Sequence, residues 1–91
     1  MAEEILEDAR RKVEQDPKLS EFQVRAEGNE LHLSKGAESF ARLIPAEKPG
    51  FWRMEYFHNL ERWEAIDFMG SLDECLDFLA HNINYLFWNR G

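Results

Sequence analysis

The sequence predicts an α+β fold: a two-layer domain in which an antiparallel β-meander of four to five strands is flanked by an N-terminal and a C-terminal helix. Three observations carry this. Apolar residues recur at helical spacing at both ends of the chain. Through the middle they alternate with polar residues. The middle is also punctuated by Gly- and Pro-containing turns too short for crossover connections. Such a sheet needs one face covered, and the two helices are the available cover. Both are therefore expected on the same face.

The first helix rests on Ala2, Ile5, Leu6, Ala9 and Val13, which fall on one stripe at 3.6 residues per turn. Glu3, Glu4, Glu7 and Asp8 precede Arg10, Arg11 and Lys12, the charge order that suits the helix macrodipole. Glu7 with Arg11 and Asp8 with Lys12 are i,i+4 pairs. Pro17 ends the helix near residue 15.

In the first strand Phe22, Val24 and Ala26 share one face, and Gln23, Arg25 and Glu27 share the other. Gly28-Asn29 is a two-residue turn with glycine first. In the second strand Leu31 and Leu33 alternate with Glu30, His32 and Ser34, so the polar set of both strands is expected to face solvent. Lys35-Gly36-Ala37 turns the chain into a third strand over 39–44, closed by Pro45. The 45–50 loop, with two prolines and a glycine, breaks the pattern. The fourth strand, 51–58, puts Trp52, Met54 and Tyr56 on one face and Phe51, Arg53, Glu55 and Phe57 on the other. The fifth, 62–69, carries Trp63 and Ala65 on one face but Ile66 and Phe68 on the opposite one. Either a bulge lies near Ala65 or both faces are covered there. Gly70 then breaks the strand, and Ser71 with Glu74 forms a capping box. Leu72, Cys75, Leu76, Leu79, Ile83 and Leu86 make one aliphatic stripe on a last helix running to about Trp88.

Composition bounds the function. At 91 residues, 1–91 is a single domain, with 44% hydrophobic and 13% aromatic residues to build one core. Eighteen acidic residues against eleven basic give a net charge of −7, which argues against binding nucleic-acid phosphates. One cysteine excludes an intramolecular disulfide and a cysteine-based zinc site. No apolar run reads as a signal peptide or a membrane span, so a cytoplasmic protein is expected, of a size common among bacterial or phage products.

Several residues admit both a chemical and a plain structural role. Cys75 sits near a helix N-terminus, where a thiolate is favoured, but its place in the aliphatic stripe makes it a small buried hydrophobe. The histidines, His32, His58 and His81, show no metal-ligand spacing. Asp73, Asp77 and His81 line one helix face and read as a solvated surface. Glu55, His58, Glu61, Glu64 and Asp67 cluster around the last two strands, where a buried carboxylate pair would do acid–base work. Strand alternation explains them without catalysis. Glycine-rich phosphate loops, nucleophile elbows and paired-histidine zinc motifs are absent from the sequence. Trp52, Tyr56, Phe57 and Trp63 resemble base-stacking positions, but only Arg42, Arg53 and Arg62 flank them, in a chain of net charge −7.

One pattern favours a function. Phe78, His81, Tyr85 and Trp88 recur at spacings of 3, 4 and 3 opposite the aliphatic stripe, a second seam on the last helix. Such a seam is either a docking surface or a contact completed by the first helix. The sequence thus predicts a small acidic protein-binding module of inhibitor, chaperone or adaptor type. It needs no catalysis, cofactor or metal. Its partner is another protein, or a second copy of itself in a homodimer. An acidic surface of this kind suits docking on a basic one. The rival is a small-ligand binder or enzyme with a pocket between sheet and helix, which a cavity holding Glu55 or His58 would favour.

Overall fold

The structure is a computed structural model, and it describes residues 3–58, 62–84 and 86. It has the expected α-β5-α order: α1 (Glu3–Gln15), β1 (Gln23–Glu27), β2 (Glu30–Lys35), β3 (Glu38–Pro45), β4 (Trp52–His58), β5 (Arg62–Gly70) and α2 (Leu72–His81). The strands form one antiparallel sheet in sequence order, β1-β2-β3-β4-β5, so β1 and β5 are its edges.

α1 stops where Pro17 demands it. Beyond Gln15 the chain makes tight turns, with Leu19 N–H donating to the Asp16 carbonyl at 3.0 Å and Phe22 N–H to that of Leu19 at 2.9 Å. These turns drive Leu19 and Phe22 into the core. Both hairpins joining β1, β2 and β3 have two-residue loops whose first residue is a glycine at positive φ, 62° at Gly28 and 59° at Gly36. An L-residue with a side chain is strained there, so glycine fixes both turns.

Pairing settles the faces. Val24, Leu31, Leu33, Leu43, Met54, Trp52 and Ile66 share one face through their cross-strand partners. All but Ile66 are buried there with Ala9 and Val13 of α1 and Cys75, Leu76, Leu79 and Ala80 of α2, in one continuous cluster. Both helices therefore cover the same face. Each fully buried Leu side chain contributes about 1.5–3 kcal/mol relative to exposure.

Two bulges adjust the sheet. Leu33 pairs with Ala41 but Ser34 pairs with Ser39, so β3 carries one more residue than β2 at this point. That residue is Phe40, fully buried, with its ring 4.7 Å from that of Phe22. On β5, Met69 pairs with Arg53 and Ile66 with Met54, leaving Asp67 and Phe68 as the bulge. The irregularity is thus at 67–68 rather than near Ala65. Alternation is unbroken through it: Trp63 and Ala65 face away from the helices, while Ile66 and Phe68 face α2.

α2 begins with the expected capping box. Ser71 N–H donates to Glu74 Oε1 at 2.9 Å, and Glu74 N–H donates to Ser71 Oγ at 3.2 Å. The helix extends to His81, and the expected end at about Trp88 lies outside the described residues. Asn82 caps it, its backbone N–H reaching the Phe78 and Leu79 carbonyls and its side-chain amide donating to the Phe78 carbonyl at 2.8 Å. Ile83 and Leu86 still lie in the core, and the Leu86 N–H donates to the Asn82 carbonyl at 2.9 Å. Among the described residues no helix is long and apolar enough to cross a membrane.

Candidate docking surfaces

The seam begins on the flank of α2 that faces β5. Phe78 is half-buried, and its ring stacks on Phe68 at 4.6 Å between centroids and 26° between planes. Shallow depressions lie on either side of Phe78. One, of about 360 Å³, is lined by Phe68, Asp77, His81 and Asn82. The other, of about 230 Å³, is lined by Tyr56, Ile66 and Leu86. His81 is exposed and its Nδ1–H donates to the Asp77 carbonyl at 2.8 Å, which turns Nε2 away from the backbone. Tyr85 and Trp88 lie outside the described residues.

α1 does not cover Phe78. It meets α2 on the opposite flank, where Lys12 Nζ lies 2.6 Å from Asp73 Oδ1. That contact raises the Lys12 pKa, chiefly through the hydrogen bond to Asp73. Phe78 is covered instead by Phe68, one of the two residues of the β5 bulge.

The remaining candidate residues, where described, fall at separate places in the fold. Cys75 is fully buried, its thiol 3.6 Å from the Trp52 and Gly70 carbonyls. Desolvation pushes its pKa up to about 11, so it is a neutral hydrophobe at pH 7. Glu55 points away from the helices and receives Arg42 Nε at 2.7 Å. Glu64 lies on the opposite face, accepting from Arg62 and from the Tyr56 hydroxyl. The side chain of His58 and all of Glu61 lie outside the described residues. The aromatics of β4 and β5 likewise split between faces: Trp52 and Tyr56 point to the helices, Phe57 and Trp63 away. Among the described residues no three His, Cys, Asp or Glu side chains come together to hold a metal ion.

The outer face of the sheet departs from expectation. His32 and Ser34 belong to the side expected to be solvated, yet both are buried, at 8% and 7% exposure. Trp63 stands edge-on to His32 at 5.7 Å and 82°, Arg42 lies 4.3 Å over the Trp63 ring, and Phe57 packs 5.2 Å from Trp63. Side chains from β3, β4 and β5 thus roof the centre of this face. The His32 ring nitrogens each lie 2.9 Å from a carboxylate, Nδ1 from Glu27 and Nε2 from Glu30. A neutral imidazole donates to only one of these; the imidazolium donates to both.

The sequence reading missed a groove of about 780 Å³ between the start of α1, the 45–51 loop and the start of α2. Ile5, Pro45, Phe51, Trp52 and Leu72 supply apolar walls, and Glu4 and Glu7 stand on its rim. A non-helical loop gives no periodicity that would have announced it.

No protein-family model matches the chain, and no curated protein and no solved structure matches it either.

Proposed function

We propose that the protein is a small acidic protein-binding module rather than an enzyme, and that it docks through the α2 flank that carries Phe78 and His81, together with Tyr85 and Trp88 of the sequence seam. The observation behind this reading is the position of Phe78. It is half-buried on Phe68, beside two depressions, on the flank of α2 that α1 leaves uncovered. Rigid aromatics beside shallow pockets are what interface anchors need. The simplest occupant is a second copy, because a two-fold contact uses one patch twice. The net charge of −7 opposes self-association only modestly, since exposed charges are screened beyond about 8–10 Å at physiological salt. Docking on a basic partner as inhibitor, chaperone or adaptor would use the same flank.

Sedimentation of the wild type against Tyr85→Glu plus Trp88→Glu tests the reading. A dimer that builds up through the micromolar range and is lost in the double variant supports it. A wild type that stays monomeric at high micromolar concentration contradicts the homodimer.

The small-ligand alternative has the groove beside α1 in its favour. That groove does not hold Glu55, which is on the far side of the sheet.

A further inference from the structure

The groove beside α1 lies on the opposite flank of the helical layer from Phe78, so it stands independently of the proposed docking flank. Its walls are apolar: Pro45 and Phe51 from the 45–51 loop, Trp52 at the start of β4, Leu72 at the start of α2, and Ile5 from α1. Ile5 is one of two large hydrophobic side chains exposed among the described residues, at 38%. The apolar stripe reaches the core through Leu6, Ala9 and Val13, while Ile5 lies at this opening.

Of the charged residues that line the groove, Asp8 and Arg11 pair with each other, which leaves Glu4 and Glu7 as the unpaired ones. Asp8 is held by Arg11 and by Lys12, which also reaches Asp73. Lys48, in the loop, places its ammonium 4.3 Å over the outer wall residue Phe51. Glu4 and Glu7 form no ion pair among the described residues, and they rim the groove. The charged groups left unpaired in the lining are thus two exposed carboxylates, beside the neutral amide of Asn29 and the Asp8–Arg11 pair. Among the described residues no buried side-chain nitrogen or oxygen is left without a hydrogen bond, so none points into the groove unsatisfied. Small-molecule sites are marked by buried polar groups that converge on the ligand. An apolar trough with an uncompensated acidic rim instead fits a chain whose apolar side chains enter while its cations stay at the surface.

We infer that this groove binds a cationic amphipathic peptide segment of a partner protein, with one or two large apolar side chains seated against Ile5, Phe51 and Leu72, and lysine or arginine paired with Glu4 and Glu7. Burial of the apolar side chains supplies most of the affinity, and the rim carboxylates supply orientation and on-rate.

Fluorescence polarisation with a labelled amphipathic peptide of leucine and lysine tests this directly. Reversing the rim charges, Glu4→Lys plus Glu7→Lys, is expected to weaken binding about tenfold or more. Glu14→Lys plus Asp67→Lys makes the same change in net charge away from the groove and is expected to leave affinity within about threefold. Ile5→Ser is expected to weaken binding about fivefold by removing apolar surface. Equal losses in the two charge-reversed pairs would show attraction to net charge alone and overturn the inference. So would an all-lysine peptide that binds as tightly as the amphipathic one. Displacement of the peptide by phenethylamine at comparable concentration would make the groove a small-ligand site, which also overturns it.

Discussion

Phe68 of β5 stacks on Phe78 of α2 at 4.6 Å, and the contact exists because the Asp67–Phe68 bulge brings Phe68 beneath the helix flank. Stacked aromatic pairs are worth about 0.5–1.5 kcal/mol beyond the area they bury. A double-mutant cycle on Phe68→Ala and Phe78→Ala, read by urea unfolding, should return a coupling of that size. A coupling indistinguishable from zero would mean that the two rings are held independently.

Leu79 sits at the centre of the α2 stripe and is fully buried. Leu79→Ala should cost about 2–5 kcal/mol, as other buried leucine truncations do. Against a total stability of about 5–10 kcal/mol for such a domain, the loss should be plain in urea. A change below about 1 kcal/mol would place the wrong face of α2 on the sheet.

These two positions mark the extent to which the sequence is informative. The Leu79 stripe repeats at helical spacing and faces a sheet whose strands alternate, so helix face, strand faces and element order all follow from local pattern. Leu19 and Phe40 do not. Leu19 lies in a turn, where no period exists, and Phe40 is the extra residue of a bulge, which only the pairing of β2 with β3 reveals. The roof over His32 is equally hidden, because Arg42, Phe57 and Trp63 reach it only once strand register is known. The spacing of Phe78 and His81 was legible, but the cover of Phe78 was not. Phe78 meets Phe68, whose position depends on a bulge two residues long, rather than α1.

The buried thiol gives an alkaline signature. Unfolded Cys75 ionises near its ordinary value of 9.0, whereas the folded thiol holds its proton to about 11. Between those values the unfolded chain binds fewer protons, so stability falls as pH rises. Cys75→Ala should flatten that part of the stability–pH curve relative to wild type. Native protein at pH 8 should also react slowly with iodoacetamide and rapidly in urea. Fast native alkylation would contradict the buried, neutral thiol.

The α2 cap gives an acidic one. The Ser71 backbone N–H, and secondarily its side chain, hold the Glu74 pKa below its ordinary 4.5. The stabilisation is therefore complete above that value and disappears as pH falls through the lower folded one. Glu74→Gln should remove this part of the acid dependence. Ser71→Ala should cost about 0.5–2 kcal/mol at neutral pH, the usual price of a lost N-cap. Thermal unfolding of both variants from pH 2 to 7 checks both effects.

The docking surface we propose is the α2 flank, not the outer face of the sheet. Amide chemical shifts recorded from low to high micromolar concentration test it residue by residue. The account predicts concentration-dependent shifts at Phe78, His81 and Phe68, with β1 and β2 unmoved. Shifts centred on His32, Arg42 and Trp63 would move the interface to the roofed outer face and contradict it.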